Sequence, residues 1–167
     1  GGIKMNYQKL FEAQRKLDER IINEKDLQGQ DLLKYKVEAL LCEIQETANE
    51  VRDFKYWSNK PPNMENALEE TADVLHFLLS IGNDLNVTPS SVEEQPARVY
   101  QDLTEQFLAL SYTAACIVMF MDKEMYYLET IKLFKGLVHL LKFTNEQLEQ
   151  AYYDKNKENH ERQESNY

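Results

Sequence analysis

The sequence predicts an all-α fold, a helical bundle of about six helices, and three observations carry that expectation. Apolar residues recur at three- and four-residue steps through most of the chain, the period of a helix buried on one face. Only 5 glycines and 4 prolines punctuate 167 residues, whereas all-β and doubly wound α/β chains need turn residues roughly every ten positions. With 43% hydrophobic residues, the chain is long enough for one core and too short for two comfortable domains.

The elements follow in order. A first helix is expected over 7–23, capped by Asn6, with Leu10, Phe11, Gln14, Leu17 and Ile21 on one side. Gly29 closes the link behind it. Asp31 is expected to cap a second helix, whose Leu33, Val37, Leu40, Leu41, Ile44, Ala48 and Val51 form one stripe about 100° wide. Pro61, Pro62 and Asn63 exclude a helix interior over 54–65, and the Phe54, Tyr56 and Trp57 of that loop fit a pocket wall. A third helix over 66–84 is nearly all apolar from Val74 to Ile81 and should be buried on most sides. Residues 86–96 read as a loop, 98–121 and 124–143 as a fourth and fifth helix, and Thr144 with Gln147 as the capping box of a last helix reaching Arg162. Gly1-Gly2-Ile3-Lys4 before Met5 reads as a cloning remnant, leaving 5–167 as a single domain. The apolar and aromatic side chains of 100–143 read as core and as dimer contact.

A formal charge of -10 argues against nucleic acid or an anionic membrane as partner, because both attract clustered Lys and Arg. No run approaches the roughly 20 apolar residues of a membrane span, and the expectation is a cytoplasmic protein. Cys42 and Cys116 lie in apolar helical stretches without CxxC or His spacing, which reads as two buried thiols.

The chemistry lies on two helix faces. Glu69, Glu70, Asp73, His76 and Ser80 fall within roughly 120° of one another on the third helix, a polar face without Lys or Arg. On the second, Glu43 and Glu46 stand at i and i+3, away from the apolar stripe. An antiparallel hairpin would set ExxE against ExxD. Such carboxylates are either ordinary solvated faces or, brought together, a cluster that is stable only with cations among them. Hard oxygen ligands suit Mg2+ or Mn2+, which bind phosphate oxygens alongside carboxylates, and a polyphosphate is then the logical substrate. Tyr152, Lys155, Asn159 and Arg162 share one face of the last helix, either as a donor stripe for outer phosphates or as a solvated helix end.

Three runs together, EIQETANEVRDFKYWS (43–58), LEETADVLHFLLSIG (68–82) and AYYDKNKENHERQ (151–163), resemble the dimeric dUTP diphosphatases of the all-α NTP pyrophosphatase superfamily, to which MazG-like enzymes also belong. The resemblance implies hydrolysis of dUTP to dUMP and pyrophosphate by a homodimer. Two or more Mg2+ ions would be held by Glu43, Glu46, Glu70 and Asp73, with Glu43 helping to activate the attacking water. It also implies that Gln14, Trp57, His76 and Phe77 frame the uracil. Lys60, Lys155, Asn159 and Arg162 would meet the phosphates, and Tyr152 would pack beside the sugar. The chain departs from such relatives at Asp18, where Asn is frequent, and at Asn166, where Gly before the terminal Tyr is common. Two alternatives stand beside this reading: a sister pyrophosphatase acting on dCTP or on many nucleotides, and a non-catalytic helical binding module. Whether dUDP is also cleaved is open at this point.

Overall fold

A computed structural model describes residues 2–165, and among them every regular element is helical. They are α1 (Tyr7–Glu24), α2 (Leu33–Val51), α3 (Met64–Asp84), α4 (Pro89–Glu93), α5 (Leu103–Met119), α6 (Lys123–Leu141) and α7 (Asn145–Glu164). Asn166 lies outside the described residues.

Short polar side chains set most of the starts. Asn6 Oδ1 accepts from Lys9 N at 3.1 Å, Asn63 Oδ1 from Asn66 N at 3.1 Å, and Asp102 Oδ1 from Glu105 N at 2.8 Å, each taking up a backbone donor the first turn leaves free. The capping box of α7 is present in both halves, Gln147 N to Thr144 Oγ1 at 3.1 Å and Thr144 N to Gln147 Oε1 at 2.9 Å. Asp31 is not the cap of α2. Leu32 occupies that position without a side-chain bond, and Asp31 Oδ1 accepts instead from Leu33 N at 3.1 Å.

Two segments differ from the expectation by more than two residues. The segment expected as a plain loop contains α4, started by Thr88 as cap and Pro89 in its first turn, a start signal that a helix this short supplies with no periodicity to accompany it. Residues 98–102 are not helical, because their backbone bonds elsewhere: Arg98 N donates to Lys132 O at 2.9 Å and Tyr100 N to Gln106 Oε1 at 2.7 Å. This strand of chain crosses α6 so closely that a Cβ on Gly136 would collide with the Arg98 carbonyl.

In the middle lies α3, packed on α1, α2 and α7, while α5 joins α2 to α6. Its Leu75, Leu78, Leu79 and Ile81 are fully enclosed, with Leu40 and Ile44 of α2, Phe11 of α1 and Tyr127 and Phe134 of α6 in the same core. The Tyr127 hydroxyl donates to Leu78 O at 2.8 Å, and Gly82 permits that approach, since a Cβ there would strike the Tyr127 ring and Phe11. Asn63 N bonds to Glu50 O at 3.0 Å, and further along Glu46 meets Glu70, so the contacts step in opposite directions on α2 and α3. Cys116 is buried as expected, but Cys42 is exposed, because it sits two residues, about 200°, from both Leu40 and Ile44 on the far side of α2. Among the described residues no helix is long and apolar enough to cross a membrane.

Candidate metal and nucleotide site

The apolar stripes of α2 and α3 meet in the core, which leaves their acidic faces turned to one cleft. One carboxylate oxygen each from Glu43, Glu46 and Glu70 lies within 4.8 Å of the other two. Burial pushes the Glu43 carboxyl up to about 8, helped by the charges of Asp73, Glu46 and Glu70. Glu70 is raised for the same reasons, burial first, then Asp73 and Glu46, with Lys155 opposing. Three carboxylate oxygens at this separation are a set that could hold a divalent metal ion.

Asp73 stands slightly apart. Its Oδ2 is 3.2 Å from Lys155 Nζ, which also reaches Glu69 at 4.0 Å and Glu158 at 3.9 Å. Burial still leaves the Asp73 carboxyl above its ordinary range despite that ammonium. Lys155 itself is pulled down by burial, but the carboxylates of Asp73, Glu158 and Glu69 together outweigh this and its pKa is raised.

Farther along α3 the cleft changes character. His76 is 8% exposed, and burial, with a smaller contribution from the charge of Lys36, lowers its pKa to about 4, so the ring is neutral. Phe77 meets it edge-on with ring centres 4.9 Å apart. Behind them Gln14 is fully buried, accepting from the Tyr152 hydroxyl at 2.9 Å and donating to Asp18 Oδ1 at 2.9 Å. Asp18 Oδ2 accepts from Ser80 Oγ at 2.7 Å. Burial raises the Asp18 carboxyl, while Ser80, Lys36 and Gln14 oppose the rise.

A single cleft of about 510 Å³ joins the two ends, with the three glutamates and Asp73 at one, His76 and Phe77 at the other, and Lys155, Asn159 and Arg162 of α7 along one wall. Arg162 is oriented by Glu158, its Nη2 2.6 Å from Glu158 Oε1. Tyr152 and Gln14 brace the wall from behind. Trp57 and Lys60 are not among the lining residues: Trp57 is 65% exposed on the α2–α3 loop, edge-on to Tyr56 at 5.1 Å and Phe54 at 6.0 Å, and Lys60 is exposed on the same loop. Asp18, Lys36 and Gln163 line the cleft although the patterns on α2 and α3 do not single them out. Lys36 is within reach of such a pattern, since it precedes Glu43 by seven residues and so shares its face. No local signal marks Asp18 or Gln163, whose place depends on how α1 and α7 pack on α3.

Residues 6–167 match the family model described as dUTPase. No curated protein matches the chain.

Proposed function

The chain belongs to the dUTPase family, whose model spans residues 6–167, and on that premise we propose that it hydrolyses dUTP to dUMP and pyrophosphate with magnesium-activated water. It is an enzyme, a dUTP diphosphatase of the all-helical kind. The observation that supports the detailed reading is the cleft itself, where an acidic cluster, a wall of α7 donors and a neutral His-Phe pocket line one space of about 510 Å³.

Glu43, Glu46 and Glu70 would hold the metal, two or more ions in all, with Asp73 joining once Lys155 turns to phosphate. Bound there, Mg2+ supplies an acidified water and neutralises charge on the phosphate oxygens. The chain's own residues do the rest. Glu43, beside the metal, would receive the proton of the attacking water. Lys155 and Arg162 hold the outer phosphates, Arg162 with a planar fork suited to two oxygens, and Asn159 lies between them. His76 and Phe77 enclose the base, and Tyr152, fully buried, supports the wall through Gln14. Trp57 is a candidate to fold over the base and Lys60 to reach the phosphates, both from an exposed loop.

We further propose a cytoplasmic homodimer. Leu108, Tyr112, Met119 and Met121, on α5 and just beyond it, are more than 65% exposed, apolar area that a second copy would cover. Pyrophosphate release from each dNTP, NTP and dUDP with Mg2+, Mn2+ or chelator tests the activity. Release from dUTP that requires the divalent cation supports the reading, and equal efficiency on dCTP would leave only a broad nucleotide pyrophosphatase.

A further inference from the structure

A chain of hydrogen bonds behind the cleft has only one consistent direction. Asn156 Nδ2 donates to the Tyr152 hydroxyl at 3.5 Å, and that hydroxyl sends its own proton to Gln14 Oε1 at 2.9 Å. Gln14 Nε2 donates to Asp18 Oδ1 at 2.9 Å, and a carboxylate can only accept, so the amide is not free to turn over. Asp18 is itself held as an acceptor by the Ser80 hydroxyl at 2.7 Å and the Lys36 ammonium at 4.0 Å. The remaining Gln14 N–H lies 3.4 Å from His76 Nε2. An amide nitrogen offers no lone pair, so Nε2 is the acceptor and the single proton of the neutral ring sits on Nδ1. That Nδ1 is buried and has no hydrogen-bond partner among the described residues, although the ring lines the cleft. A buried donor left unpaired is costly to the fold and is the place where a ligand acceptor is expected.

We propose that Asp18 is a positioning residue that, through Gln14, holds His76 as the Nδ1–H tautomer, so that the pocket donates to a keto oxygen of the base and discriminates against an amino group. Uracil presents a carbonyl where cytosine presents an amine, and a donor facing a donor leaves both unpaired. The ligand half of this inference rests on the dUTP reading above, whereas the tautomer half rests on the hydrogen bonds alone. Asp18 does what an amide at the same position would not, since an amide could be turned to donate and would let Gln14 and His76 reverse.

The experiment uses histidine labelled with 15N at the ring, in nucleotide-free protein, with the His76→Gln variant identifying the signals among the 3 histidines. Wild type is expected to show His76 protonated at Nδ1. The double swap Gln14→Glu with Asp18→Asn keeps the number of hydrogen bonds and the net charge but reverses their sense. The carboxylate is then on the first of the two side chains, where it accepts from the new amide, from the Tyr152 hydroxyl and from His76 Nε2–H. The swap is expected to move the proton to Nε2 and to lower the ratio of kcat/KM for dUTP over dCTP by about tenfold or more, chiefly through KM. An Nε2–H signal in wild type overturns the relay whatever the substrate and whether or not the swap folds. A swap that moves the proton but leaves the ratio unchanged overturns the link to base choice. Equal turnover of dUTP and dCTP by wild type overturns the substrate reading and that link together, while the spectrum still decides the tautomer.

Discussion

Replacing Glu43 by Gln separates electrostatic strain from packing in the acidic cluster. The carboxyl holds its proton up to about 8 in the folded chain, against an ordinary value of 4.5. The folded state therefore binds more protons across that window, and stability is lost as pH rises through it, with the full penalty present above about 8. Taken at face value a difference of this size corresponds to about 5 kcal/mol. Glu43 is only half-buried, and solvent screening reduces the penalty to about 1–2 kcal/mol. For a domain of this size that is about 4 °C in Tm. In EDTA at pH 9, Glu43→Gln should melt about 4 °C above wild type, with the two curves converging near pH 5. Adding Mg2+ should stabilise wild type more than the variant, because the cation removes the same repulsion. A variant that melts at or below wild type at pH 9 in EDTA would refute the reasoning.

Asp73→Asn should keep the helical circular dichroism spectrum and reduce Mg2+-dependent pyrophosphate release by about a hundredfold or more, as expected for loss of a charged metal ligand; retention of activity within about tenfold would remove Asp73 from the site. Gly82→Ala should lower the denaturant midpoint by the equivalent of about 1–3 kcal/mol, despite the better helix propensity of Ala, because the new methyl meets the Tyr127 and Phe11 rings. Gln14→Ala and His76→Ala should each raise KM for dUTP and narrow its advantage over dCTP, measured by steady-state kinetics, while dependence on Mg2+ persists. Sedimentation at micromolar concentration should give a species of twice 19.7 kDa, and Leu108→Glu with Tyr112→Glu should shift it toward the monomer.

Much of this protein is local and was therefore legible in the order of its residues. The stripe from Val37 to Val51 on α2, the Asn6 and Thr144 starts, and the spacing of Glu43 with Glu46 and Glu70 with Asp73 all follow from 3.6 residues per turn and from backbone donors that need partners. Helix geometry alone places each acidic pair on one face, whatever the face meets. Tertiary packing decided what it meets. Lys155 reaches Asp73 across a separation of many turns, so the fourth carboxylate has an ammonium partner that its own helix does not show. Asp18 contributes to the pocket because α1 crosses α3 at Ser80 and His76, a register set by how Phe11, Gly82 and Tyr127 fit together. Residues 98–102 are not helical for the same kind of reason: the Lys132 carbonyl and the Gln106 side chain take the Arg98 and Tyr100 backbone donors, and that competition is settled only when the helices pack.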